Sequence, residues 1–206
     1  MNMNKLFTLV GGIVFISFIS CNNQHEVIPP PLKTAELECS CKATINGAVY
    51  EYTDTCTYNN EKVINTSGLS KGVYAAIVQN AQMDEGVVVS LRTLQWLDDG
   101  SSNPTVEEWK DFFDSNTNPN YYINDNLSIN GIKVEWTDAN GIVWHSDTTQ
   151  YCSGIDFLFT EFTHDSDQTG NYMKFRAVFN CPLIKNDNSD TICLENGVIK
   201  SSFKRE

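Results

Sequence analysis

From residue 43 onward, apolar and polar side chains alternate in short runs separated by glycine, asparagine and aspartate, the pattern of strands joined by tight turns. Asn46-Gly47 stands between Ala43-Thr44-Ile45 and Val49-Tyr50-Glu51-Tyr52, and Asn-Gly suits a two-residue hairpin because both central residues tolerate positive φ. Further strands are predicted over residues 62–65, 73–79 and 87–94, punctuated by Gly68, Gly72 and Gly86. Asp138-Ala139-Asn140-Gly141 then joins 132–137 to 142–146. With Gly141 left-handed, this bulged hairpin sets Trp136 opposite Trp144 on one face. Residues 155–162, 172–184 and 191–203 complete the series. In 172–184, Phe175, Ala177, Phe179, Cys181 and Leu183 alternate with Arg176, Val178, Asn180 and Pro182, which predicts a long, half-buried central strand.

One segment departs from this period. Across Pro104 to Phe113, the residues Val106, Trp109 and Phe113 fall on one helical face. Thr105 with Glu108 fits a capping box, while Asn103 before Pro104 offers a competing start. A short helix covering a sheet edge or barrel mouth is expected. About ten antiparallel strands with one inserted helix make the predicted fold all-β, a sandwich or barrel.

The first residues follow neither pattern. Lys5 precedes a run from Leu6 to Phe18 broken only by Thr8, Gly11, Gly12 and Ser17, and Ser20-Cys21 closes it. A positive start, a short apolar core and a small residue before the cut describe a secretory signal, too short to span a bilayer. Residues 1–20 are therefore expected to be a lipoprotein signal peptide, with Cys21 the acylated N-terminus after cleavage. Residues 21–38, with Pro29-Pro30-Pro31 stiffening their middle, read as a flexible tether that could hold the domain on the order of 50 Å from the bilayer, at about 3.1 Å per residue. Residues 39–206 read as a single β domain.

Composition narrows the partners. The chain carries 14 basic and 26 acidic residues; without Lys5 the mature form keeps 13 basic residues and a formal charge of −13. Such a surface repels nucleic acid and anionic headgroups, so the expected membrane link is the N-terminal lipid. Beyond Cys21 stand six cysteines: Cys39, Cys41, Cys56, Cys152, Cys181 and Cys193. In an exported chain they read as up to three disulfides with fifteen possible connectivities, and Cys39-Ser40-Cys41 lacks the spacing of a zinc site. Opposing Leu183 to Ile192 puts Cys181 and Cys193 on opposite faces, which leaves their partners open.

Few residues suggest chemistry. His25, His145 and His164 have no second histidine at ligand spacing, and no nucleophile motif or phosphate loop is present. Asp165, Asp167 and Thr169 alternate before Gly170 like the opening of a calcium loop. Arg176 stands where the closing bidentate carboxylate belongs, so Ca²⁺ is the one cofactor weighed, against a solvated hairpin turn. Trp136 and Trp144 are expected in the core. Any ligand-stacking platform is then left to Trp96, Trp109, Tyr121 and Tyr122, beside the helical insertion.

Several stretches resemble small envelope lipoproteins of Bacteroidetes-type bacteria. They are Ala43-Thr44-Ile45-Asn46-Gly47 with Tyr50; Val134-Glu135-Trp136-Thr137-Asp138 with Gly141 and Trp144; Phe179-Asn180-Cys181-Pro182-Leu183; and Leu194-Glu195-Asn196-Gly197 with Phe203. The resemblance implies an envelope-anchored β domain and brings no catalytic or binding residue with it. The expected function is a non-enzymatic binding or accessory module for glycan or another envelope protein. The alternatives are a glycosidase-like hydrolase, which needs two carboxylates facing across a cleft, and a structural subunit of a surface assembly with an unpaired edge strand.

Overall fold

The computed structural model describes residues 31–97, 102–122, 130–150 and 152–205; the expected signal peptide and Cys21 lie outside them. Ten strands follow in chain order: β1 (Ser40–Ile45), β2 (Ala48–Tyr52), β3 (Thr55–Val63), β4 (Leu69–Gln79), β5 (Gly86–Leu97), β6 (Gly131–Thr137), β7 (Val143–Ser146), β8 (Asp156–Asp167), β9 (Gly170–Lys185) and β10 (Thr191–Arg205). Among the described residues a single helix, α1 (Val106–Asp114), falls between β5 and β6. All ladders are antiparallel, in the order β2-β1-β10-β9-β7-β6-β5-β4-β3, with β8 added to β9. The result is an all-β, sandwich-like fold built from one open sheet.

Strand β9 makes the second layer possible. Its first part, Gly170 to Asn180, pairs with β8, and its last residues, Leu183 to Lys185, pair with β7. One edge of a sixteen-residue strand thus serves two different neighbours at its two ends. The ring of Tyr58 on β3 meets that of Tyr172 on β9 at 5.9 Å, so the far end of the ladder folds back toward β9.

Local chemistry sets the turns and registers. In the β1–β2 hairpin Asn46 and Gly47 take φ of 49° and 80°, the left-handed pair that Asn-Gly accommodates. Gly141 takes φ of 74°, and Trp136 stands directly opposite Trp144 with ring centroids 6.3 Å apart. Both indoles are core, 5% and 7% exposed. Leu183 faces Ile192, as the alternation requires. Helix α1 starts at Thr105, whose hydroxyl accepts from the Glu108 amide while Glu108 accepts from the Thr105 amide. The capping box therefore prevails over the Asn103-Pro104 start. Trp109, Phe112 and Phe113 enter the core, where Phe113 stacks on Phe203 at 5.0 Å.

Two disulfides form, Cys39–Cys56 and Cys152–Cys193, leaving Cys41 and Cys181 as buried free thiols. The first ties the start of β1 to β3, which stand near opposite ends of the ladder order.

The predicted tether needs correction at its inner end. The compact unit begins at Leu32, and residues 32–39 lie along β8, β9 and β10 as a strap without regular secondary structure. Lys33 Nζ sits 2.8 Å from Asp165, the Ala35 amide donates to Asp167 at 3.1 Å, Lys174 Nζ donates to the Glu36 carbonyl at 3.5 Å, and Lys200 reaches Glu38 at 3.9 Å. These partners stand far away along the chain, so a segment without period gave no sign of them.

Candidate functional site

Strands facing solvent on one side alternate apolar with polar residues, and the middle of β4 does not. Along Val73-Tyr74-Ala75-Ala76-Ile77-Val78, the residues Tyr74, Ala76 and Val78 are fully buried, while Val73, Ala75 and Ile77 point to the other face. Val87 and Val89 are likewise interior, with Val88 outward. A run that is apolar on both faces is the signature of a strand covered on both sides. Here the described residues leave the second face uncovered.

Register assembles that face. Glu61 on β3 opposes Val73, Asn59 opposes Ala75 and Thr57 opposes Ile77. Val73, Ala75 and Ile77 in turn oppose Arg92, Ser90 and Val88 on β5. Ser90 and Val88 oppose Lys133 and Glu135 on β6. The outcome is a groove of about 330 Å³ with an aliphatic floor and a charged rim. On the rim, Lys133 and Glu135 pair at 2.9 Å. Val63, Leu69 and Leu97 extend the same face and are 52%, 48% and 72% exposed.

At one end of the groove the Arg92 guanidinium lies 3.1 Å from the centre of the Tyr122 ring, a cation–π stack. The register shift beside Gly72 and Val73 turns the chain here, which is how bulges re-aim side chains at sheet rims. Tyr122 is held by backbone bonds between its own amide and the Ile132 carbonyl, and between the Ile132 amide and the Asn120 carbonyl, at 3.1 and 2.9 Å.

The predicted aromatic platform does not form as a unit. Trp96 and Trp109 are 1% and 0% exposed and belong to the core. Their large apolar area outweighs any surface use, and Trp109 packs edge-on to Phe113 at 5.1 Å. Tyr122 reaches the groove wall, whereas Tyr121 faces a different hollow. The groove floor itself was missed, although the missing alternation in Val73–Val78 was the signal for it.

At the Asp165–Thr169 turn, weighed above as a calcium loop or a hairpin turn, the carboxylates are engaged by protein groups. Asp165 accepts from Lys33 at 2.8 Å and from Lys174 at 3.3 Å, and these ammonium groups occupy the charge a cation would need. Asp167 accepts from the Ala35 amide and from the Thr169 amide and hydroxyl, the latter two at 2.7 Å, as a turn-stabilising residue does. The Lys33 hydrogen bond, with the Ser166 amide and Lys174, holds the Asp165 carboxyl well below the usual carboxylate range. Asp165, Asp167 and Thr169 therefore make a hairpin end that clasps the strap. Among the described residues, no group of three His, Cys, Asp or Glu could hold a metal ion.

For hydrolysis, Glu61 and Glu135 are the carboxylates on the groove rim. They stand on β3 and β6, three strand spacings or about 14 Å apart across the strands, and are further offset along them, Glu61 in the row of Val73 and Glu135 in that of Ile77. A glycosidase pair works at about 5 to 9.5 Å, so these two do not form one. The strap's own seam, about 310 Å³, sets Glu36, Glu38 and Glu161 among Lys174, Arg176 and Lys200, an alternation that holds the strap to the sheet. No described helix is long and apolar enough to cross a membrane. No protein-family model, curated protein or solved structure matches the chain.

Proposed function

We propose that the chain is a lipoprotein of the cell envelope, anchored at the outer membrane through Cys21, and a non-enzymatic binding module. Its open sheet face receives another envelope protein. The observation that carries this reading is the two-faced apolar run of β4, whose Val73, Ala75 and Ile77 join Val88 of β5 in the groove floor. An aliphatic centre with a charged rim is the anatomy of a protein interface, and contiguous exposed apolar surface marks interaction sites. The two disulfides agree with an oxidising, exported setting.

The test places a photo-crosslinking residue at Leu69 or Ile77 in the native envelope, with Val49 on the unrelated edge strand β2 as the control. Leu69 and Ile77 should yield one discrete adduct with the same protein, and Val49 none. Adducts of equal yield at all three positions, or none at Leu69 and Ile77, would refute the docking face. Cys21→Ser should separately abolish incorporation of labelled fatty acid, and unchanged labelling would remove the anchor from the proposal.

A further inference from the structure

A second site lies where the chain returns from α1 toward β6. The loop around Asn118 and Asn120 is fastened at both ends. The Phe159 amide donates to the Thr117 carbonyl at 2.8 Å, and the Ile132 amide donates to the Asn120 carbonyl at 2.9 Å. Tyr121 Oη closes the side by donating to the carbonyls of Asp156 and Asn180 at 3.1 and 3.2 Å. Between this loop and the start of β8 opens a hollow of about 460 Å³, within the size range of small-molecule sites. It is distinct from the groove on the open sheet face: consecutive residues Tyr121 and Tyr122 line the two separately.

The lining has one chemical character. Asn118, Asn120 and Thr148 offer side-chain amides and a hydroxyl without partners among the described residues. Each amide presents a donor and an acceptor side by side, the complement of two neighbouring hydroxyls. One oxygen of Asp156 takes the Asn180 amide at 2.7 Å, which orients the carboxylate and leaves its second oxygen to accept. The Tyr121 ring and the side chain of Ile155, 40% exposed, supply an apolar patch suited to the C–H face of a sugar ring. Asp156 is the one charged group among the described lining residues, so an anionic ligand is repelled.

We infer that this hollow binds a short neutral saccharide, with Asn118 and Asn120 holding its hydroxyl groups. The fastened loop matters because a backbone that is already ordered loses little freedom on binding. The loop backbone is used in the sheet, so trimming the two amides leaves the fold intact.

The full chain is titrated with malto-, cello-, xylo- and manno-oligosaccharides by calorimetry and by ¹⁵N chemical shifts, with oligogalacturonate as the acidic counterpart. At least one neutral oligosaccharide should bind and shift Asn118, Asn120 and Thr148. Asn118→Ala and Asn120→Ala should each weaken it by about fivefold, the worth of one net hydrogen bond, without moving the melting temperature. Oligogalacturonate should bind more weakly. The inference is overturned if none of the four binds, if the shifts map elsewhere, if the double variant keeps full affinity, or if the acidic chain binds equally well.

Discussion

Removing the two disulfides one at a time gives the sharpest quantitative test of how this domain is held together. Cys39–Cys56 closes a loop of 17 residues and Cys152–Cys193 one of 41. Loop-closure entropy in the unfolded chain then assigns them about 3 and about 4 kcal/mol at 25 °C. The loops neither overlap nor nest, so the contributions should add, to about 7 kcal/mol. That sum is comparable with the whole net stability of an ordinary domain, about 5 to 15 kcal/mol. Urea unfolding of the oxidised chain would be compared with Cys39→Ala/Cys56→Ala and with Cys152→Ala/Cys193→Ala. The first pair should lower stability by about 3 kcal/mol, the second by about 4, and the quadruple variant should be largely unfolded at 37 °C. A loss below about 1 kcal/mol for either pair would refute the argument that these bridges act by restricting the unfolded chain.

Three further outcomes follow from the same structure. Trp136 is 5% exposed, lies 5.1 Å from the Tyr50 ring and donates through Nε1 to Tyr52 Oη at 2.9 Å; Trp136→Ala should cost about 3 to 5 kcal/mol, and a calorimetric loss under about 1 kcal/mol would remove it from the core. The Asp165 carboxyl is depressed in the folded state, so its contribution is complete above the unfolded value of about 3.9 and is lost as pH falls through the folded value. Asp165→Asn should therefore be less stable than the parent at neutral pH, with the gap closing progressively below about pH 4; a gap constant down to pH 2 would contradict the Lys33 and Lys174 pairing. Burial pushes the Cys41 and Cys181 thiols up to about 12, so neither should react with a maleimide at pH 8 until the chain unfolds, and prompt labelling of the native protein would show that one is accessible.

What could be read in advance was whatever depends on neighbours along the chain. Asn46-Gly47 specifies its hairpin through two positive φ angles, and Gly141 sets the Trp136–Trp144 register through one. The 183–192 pairing followed from alternation alone. Strand β3 was less legible: it begins at Thr55, seven residues before the run expected at 62–65, because an edge strand with Asn59, Asn60 and Glu61 has little apolar contrast to reveal it. Trp96 and Trp109 were assigned to the surface because position beside an insertion says nothing about which way a ring turns. Their burial follows from α1 docking on β5, β8 and β9, a tertiary event. The Asp165 pattern was read by type and spacing. Its partners, Lys33 and Lys174, come from the strap and from the next strand, and they reverse the electrostatics of the loop.

The strap also changes the mechanics of the molecule. The first fixed point of the strap is Lys33, six residues ahead of the Cys39 end expected for the tether. A pull delivered from the N-terminal side would load the strap's ion pairs and hydrogen bonds on the β8–β9 hairpin end before it reached β1. Once those yielded, the force would arrive at a covalent junction, Cys39–Cys56, and divide between β1 and β3. Strand β1 would thereby share the load with β3 instead of meeting it alone.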